Sequence, residues 1–199
     1  MNTNKKNIEI IKQFNLSPHP EGGWFREIVR SKNSLIREDG QSRNFITGIY
    51  YLLERDAKSA WHRVKNADEI WIYLRGDPLN LWCLDNDNKL IRNLILDSNN
   101  PVEMIPSGYW QAAKSTGEFT LVNCCVGPGF DFKDFELLRN TNHTTRLDKA
   151  INDLIKDILN MDFDEWSNFD SWESISAQQW IFSRAVSYTH LTLPTKRIV

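Results

Sequence analysis

The stretch SAWHRVKNADEIWIYLRG, residues 59–76, predicts two consecutive strands at residues 60–64 and 69–75. Side chains along a strand alternate between its two faces. A folded or closed sheet would therefore bring His62 of the first strand and Glu69 of the second strand into one cavity. Histidine and glutamate are residues of acid–base and metal chemistry, so these two are the first candidates for a functional site.

Two aromatic side chains share the predicted face of Glu69. Trp71 and Tyr73 follow it at intervals of two residues, the period of a strand. Trp71 is a candidate wall of a ligand site, and Tyr73 is a candidate proton donor. The alternative for Tyr73 is a core aromatic ring whose hydroxyl reaches solvent.

A second phrase follows about thirty residues later, where residues 106–111 read PSGYWQ. Together with His62, Glu69 and Gly76, its spacing resembles the two sequence motifs of the cupin superfamily. The resemblance narrows to one uncharacterised family, cupin-5 (domain of unknown function 985), over roughly residues 6–139. The phrases that carry it are HPEGGWFRE (19–27), AWHRV (60–64), DEIW (68–71), GDPL (76–79), WQA (110–112) and PGFDF (128–132), followed by DFEL (134–137).

The resemblance implies an all-β, cupin-type jelly-roll barrel with its site inside. Metal-dependent cupins have histidines where this chain has Val64 and Gln111. One interpretation is a metal-free, hydrogen-bonded cluster of His62, Glu69 and Gln111. The other is a weakly bound divalent metal on the same three side chains, weak because a neutral amide oxygen is a poor transition-metal ligand.

The segment HPEGG, residues 19–23, could form a rim of the barrel. Its two glycines permit positive φ angles or a close approach of the backbone to a ligand. Arg26 follows on a strand, and a guanidinium group suits a carboxylate or phosphate. Glu21 and Arg26 are therefore ligand-binding candidates, although a tight turn with Arg26 in a surface ion pair is equally consistent. The other predicted ligand-binding residues are Trp71, Gln111 and Asn123.

Short strand patterns separated by turn signals recur from residue 24 to 126, which is typical of a sandwich or barrel. Residues 4–14 show the apolar spacing of a short N-terminal helix. These patterns predict a cupin domain at residues 1–139 and a C-terminal, helical extension at residues 140–185. Residues 186–199 are expected to be a non-native tail.

Composition excludes several classes of function. The chain has 199 residues, 41% of them hydrophobic, and a net charge of −2 without a basic stripe, so neither nucleic acid nor a membrane surface is an expected partner. Three cysteines, an odd number, make a poor disulfide framework and favour a cytoplasmic location. Because a small barrel leaves sheet edges open, we expect a homodimer.

Three functions remain open at this level. The first is metal-independent recognition and isomerisation or epimerisation of a small sugar or acid, with His62, Glu69 and Tyr73 as catalytic residues. Metal-free sugar-nucleotide epimerases of the cupin superfamily, which use a histidine base and a tyrosine acid, are the fold-level analogy. The second is a metal-dependent enzyme using His62, Glu69 and Gln111, and the third is a ligand-binding module without catalysis.

Overall fold

The computed structural model describes residues 3–85 and 90–138, and the structural statements below refer to these residues. Within them, no helix combines the length and apolar composition that crossing a bilayer requires. The predicted extension and tail lie outside the described residues. The elements, in chain order, are α1 Thr3–Phe14, β1 Ser17–Pro18, β2 Trp24–Arg30, β3 Ser34–Ile36, β4 Ser42–Asn44, β5 Thr47–Glu54, β6 Lys58–Val64, β7 Asp68–Gly76, β8 Leu79–Asp85, β9 Leu90–Leu96, β10 Val102–Ile105, β11 Trp110–Ser115, β12 Phe119–Gly127, the 3₁₀ turn Phe132–Asp134 and β13 Phe135–Leu137.

Two antiparallel sheets form the domain. The six-stranded sheet has the order β1-β2-β5-β12-β7-β10, and the five-stranded sheet has the order β13-β6-β11-β8-β9. Strands β3 and β4 form a separate hairpin. Neighbours in each sheet are often distant in sequence, as with β12 between β5 and β7, which is the arrangement of a jelly roll. The predicted all-β jelly roll with a short N-terminal helix is confirmed.

The period-two alternation of the strands separates an inner face from an outer face. Trp71 and Val122 of the six-stranded sheet pack with Leu81 of the five-stranded sheet in one buried cluster between the sheets. On the opposite face of the six-stranded sheet, Leu52 packs against Ile10 of α1. These two faces decide which of the candidate residues can reach the interior of the barrel.

A buried ion cluster fastens the β3–β4 hairpin to the 3₁₀ turn. Arg43 donates to both carboxylate oxygens of Asp134, at 2.7 and 3.1 Å. Arg37 donates to the same two oxygens, at 2.9 and 3.1 Å. All three side chains are at most 8% exposed. One carboxylate therefore neutralises two guanidinium groups that have little contact with water.

We expect Asp134→Ala to lower the free energy of unfolding by about 3 kcal/mol, because it leaves buried Arg43 without its carboxylate and Arg37 with Asp39 alone. Chemical denaturation monitored by tryptophan fluorescence measures this loss. Asp39→Ala is the matched control, since Asp39 also pairs with Arg37 but its side chain is 40% exposed. Its loss should be much smaller, and equal losses in the two variants would contradict this account.

Candidate functional site

His62 stands on β6 with 2% of its surface exposed. Its Nδ1 lies 2.8 Å from the carbonyl oxygen of Ala60 and 3.2 Å from Oε2 of Glu21. A carbonyl oxygen can only accept a hydrogen bond, so Nδ1 carries the proton and Nε2 carries the lone pair. Burial lowers the pKa of His62 to about 4, which leaves the ring neutral at pH 7. Nε2 has no hydrogen-bond partner among the described residues and is available as a base.

Gln111 joins His62 to Glu69. It is the antiparallel partner of His62 on β11, and directly opposed side chains lie on the same face of a sheet. Its Nε2 donates to Oε2 of Glu69 at 2.6 Å, and its Oε1 accepts from the indole nitrogen of Trp71 at 2.9 Å. Because an indole N–H can only donate, Trp71 fixes the orientation of the amide. The structure thus brings His62, Glu69, Gln111 and Trp71 into one buried cluster.

The carboxyl of Glu69 has a raised pKa in this buried cluster. Burial is the main cause that raises its pKa to about 8, and the carboxyl of Glu21 adds to the shift. Hydrogen bonds from Gln111 and Cys124 act in the opposite direction but are outweighed. Glu69 is therefore protonated at neutral pH. The cluster holds a neutral base, His62, and a neutral acid, Glu69, a pairing that suits proton transfer.

Glu21 reaches the cluster from the loop between β1 and β2. Its Oε1 accepts from the hydroxyl of Ser59 at 2.9 Å, and its backbone oxygen accepts from the amide of Ala60 at 2.8 Å. His19 lies beside it, with Nδ1 3.3 Å from the amide nitrogen of Glu21. His19 and Ser59 were not identified from the sequence, because strand alternation says nothing about loop residues and a serine carries no distinctive signal.

The two glycines of the loop allow a close approach to neighbouring strands. Gly22 has φ +110°, and a Cβ at this position would lie 2.1 Å from the carbonyl oxygen of Lys58 on β6. Gly23 has φ +66°, and its Cβ would lie 2.6 Å from the carbonyl oxygen of Leu52 on β5. The close approach predicted from the sequence is therefore made to the protein's own backbone, and it places Glu21 inside.

We expect Gly22→Ala to destabilise the fold by about 3 kcal/mol, because it combines an unfavourable φ angle with a backbone clash. Gly40→Ala isolates the first contribution, since Gly40 has φ +76° and nothing lies within 4 Å of its Cβ position. Its cost should be about 1 kcal/mol. Thermal or urea denaturation of both variants measures the difference, and a Gly22 variant no less stable than the Gly40 variant would be inconsistent with the packing described.

Tyr73 does not join the cluster, although it shares a strand with Glu69. Its hydroxyl donates to the carbonyl oxygen of Gly76, at the far end of β7. The two residues are four positions apart, which is about 13 Å along a strand. The predicted role of Tyr73 as proton donor to this site therefore has no geometric support, because a shared face does not make a shared site.

Arg26 and Asn123 also lie away from the cluster. Both are antiparallel partners of Tyr50, on the two sides of β5. Tyr50 packs against α1 on the outer face of the six-stranded sheet, and the guanidinium carbon of Arg26 is 5.7 Å from its ring centroid. The amide of Asn123 donates to the carbonyl oxygen of Ile49 at 2.8 Å. The expectation that these two side chains contact a ligand inside the barrel is therefore not supported.

The predicted metal ligands do not fit a metal centre in this arrangement. The oxygen of Gln111 is bonded to Trp71, its nitrogen is bonded to Glu69, and Nδ1 of His62 faces a carbonyl oxygen. Within the described part of the chain, no group of three His, Cys, Asp or Glu side chains is placed to hold a metal ion. Among these ligands, Nε2 of His62 has no hydrogen-bond partner in the described part of the chain and could coordinate one.

Comparisons with known proteins agree with the fold. Among solved structures, a hypothetical protein from Leishmania major is 29% identical, with a TM-score of 0.64, over 72% of this chain and 93% of that one. A protein from Shewanella oneidensis is 28% identical, with a TM-score of 0.62, over 72% and 91%. No curated protein matches the sequence. A family model described as "Cupin superfamily (DUF985)" matches residues 8–138, so the chain belongs to this cupin family.

Proposed function

We propose that the protein binds a small polar molecule inside its barrel and transfers protons on it without a metal, as an isomerase or epimerase does. The observation that carries this proposal is the neutral base and the neutral acid in one buried cluster. Nε2 of His62 takes a proton from a carbon next to a carbonyl group, and Glu69 gives its proton to the carbonyl oxygen. Glu69 thus replaces Tyr73 as the acid. Burial lowers the pKa of His62 and raises that of Glu69, so the first is ready to accept a proton and the second to donate one.

The described interior favours a neutral ligand over a small acid. Glu21 and Glu69 both face the cluster, and none of the contacts that the structure describes for them comes from lysine or arginine. Arg26, the predicted anion-binding residue, lies on the outer face. Phe135 is half-buried, with its ring centroid 5.5 Å from that of His62, and offers apolar surface of the kind that sugar rings stack on. A sugar or a hydroxy-carbonyl compound is therefore the proposed substrate class.

The test is incorporation of deuterium from D2O into candidate substrates, followed by NMR. The panel contains free aldoses and ketoses, nucleotide-linked sugars and 2-hydroxy acids, and thermal shift measures binding of each compound in parallel. We expect one sugar or hydroxy-carbonyl class to raise the melting temperature and to lose a C–H signal with time. Binding without exchange would leave a non-catalytic ligand-binding module, and neither binding nor exchange would overturn the proposal.

Elemental analysis of protein purified without chelators or a His tag distinguishes the metal-dependent alternative from the metal-independent mechanism. This alternative is considered because Nε2 of His62 has no hydrogen-bond partner among the described residues and could coordinate a metal ion. We expect far less than one metal ion per chain, with the same content in wild type and His62→Ala. Near-stoichiometric manganese, iron, nickel or zinc that disappears in the variant would replace the metal-independent mechanism with a metal-dependent one.

A further inference from the structure

We propose that Glu21 is the positioning residue of His62, holding the imidazole so that Nδ1 keeps its proton and Nε2 stays the reactive nitrogen. This inference rests on the proposed function, in which His62 is the base. It assigns Glu21 a task different from the ligand binding that the sequence predicted. The carboxyl acts on the base, and the base acts on the substrate.

The contacts of Glu21 support this assignment. Oε2 is 3.2 Å from Nδ1 of His62, while Oε1 accepts from Ser59 at 2.9 Å. Both carboxyl oxygens are thus engaged by the protein, and the residue is 7% exposed. The hydrogen bond of Nδ1 itself goes to the carbonyl oxygen of Ala60, at 2.8 Å. This bond fixes the tautomer, and the carboxyl of Glu21 beside Nδ1 restricts the rotation that would turn Nδ1 away from Ala60.

The position of Glu21 is set by an unusual piece of backbone. Gly22 and Gly23 both have positive φ angles and lie against the carbonyl oxygens of neighbouring strands. The loop between them and β1 is tied to β6 through the hydrogen bond from the amide of Ala60 to the backbone oxygen of Glu21. A segment held this closely keeps the carboxyl in one place, which is what an orienting group needs.

The position of Glu21 also stabilises His62 after it has accepted a proton. When Nε2 of His62 takes a proton from the substrate, the ring becomes an imidazolium with both nitrogens protonated. Its Nδ1–H then still points to the carbonyl oxygen of Ala60, and Oε2 of Glu21 lies 3.2 Å from Nδ1, so the new positive charge forms beside a carboxyl group. The substrate loses one proton and His62 gains it, and the bond from Nδ1 to its hydrogen is kept throughout.

The test uses protein labelled with ¹⁵N-histidine, in which the nitrogen shifts of His62 report the tautomer. Wild type should show Nδ1–H almost entirely. Glu21→Ala should shift the ratio at least tenfold toward the Nε2–H form, because the ring is then free to rotate away from the carbonyl oxygen of Ala60. Glu21→Gln should restore the wild-type pattern, since its side chain fills the same space beside Nδ1 and its amide reaches Ser59. An unchanged tautomer in Glu21→Ala would overturn the inference.

Two further variants allow the inference to be tested even if Glu21→Ala does not fold. Ser59→Ala removes the anchor of Glu21 without altering the loop, so it should give a smaller shift in the same direction if Glu21→Ala fails to fold. Glu38→Gln, an exposed residue in the turn between β3 and β4, is remote from the cluster and should leave the spectrum unchanged. With a substrate in hand, Glu21→Ala should lower kcat about 10- to 100-fold with little change in KM. A tautomer shift without turnover in any protein would reject the proposed function alone, whereas turnover with an unchanged tautomer would reject the positioning role.

Discussion

Replacing His62 with alanine should lower the rate of substrate deuterium exchange by about 10²- to 10⁴-fold, the usual contribution of a general base. Nε2 is the atom responsible, because the proton of Nδ1 is already hydrogen-bonded to the carbonyl oxygen of Ala60. The loss should appear in kcat, while thermal shift continues to report binding of the same compound. The measurement is the rate of C–H loss in D2O by NMR, with enzyme and substrate concentrations held constant.

His62→Asn is the matched control for this experiment. Its side-chain amide nitrogen takes the place of Nδ1 and can donate to the carbonyl oxygen of Ala60, so the local hydrogen bond is kept. It supplies nothing at the place of Nε2. We therefore expect it to be closer to wild type than His62→Ala in stability and equally inactive. An asparagine variant that exchanges at the wild-type rate would remove His62 from the mechanism.

The cluster residues that lie on strands were predictable from the sequence. The alternation of β6 and β7 put His62 and Glu69 on the inner face, and the two cupin-like motifs placed Gln111 near them. The structure adds the reason that the group holds together: the indole of Trp71 fixes the amide of Gln111, which then faces Glu69. Hydrogen-bond direction of this kind depends on two strands from different sheets and cannot be obtained from spacing.

Distance along a strand and the choice of inner face were harder to predict. Tyr73 obeys the alternation but sits too far along β7 to share a site with Glu69. For Arg26 and Asn123, alternation gives two faces without saying which one is inside. That choice is made by α1, which covers the outer face of the six-stranded sheet at Tyr50. Tertiary packing therefore decides what local periodicity leaves open.

The role of the HPEGG loop was the feature least predictable from the sequence. From the sequence, two glycines are consistent with a lid, a turn or a ligand-binding backbone. The positive φ angles and close contacts of Gly22 and Gly23 show that the loop packs against β5 and β6 instead. Glu21 consequently enters the cluster beside His62. The pairing joins residues about forty positions apart through a segment that has no periodic pattern.

The second large effect concerns the pH dependence of stability above pH 4.5, to which Glu69 should contribute several kcal/mol. Burial raises the pKa of Glu69 from its ordinary 4.5 to about 8. Between these values the folded protein keeps a proton that the unfolded chain releases, so the free energy of unfolding falls as the pH rises. At about 1.4 kcal/mol for each unit of pKa shift, the fall amounts to roughly 5 kcal/mol.

Glu69→Gln isolates this contribution. Its amide resembles the protonated carboxyl, can accept from Gln111 and does not titrate. The stability of the variant minus that of wild type should be constant below pH 4.5, rise by several kcal/mol up to pH 8 and then level off. His62, whose lowered pKa makes stability fall as the pH drops below 6.5, is present in both proteins and cancels. Glu21, whose pKa is raised by burial and which makes stability fall as the pH rises, is likewise present in both proteins. Urea denaturation from pH 4 to pH 9 provides the comparison. Parallel curves for the two proteins would mean that folded Glu69 is ionised at neutral pH, and the proposed reaction would then lack its acid.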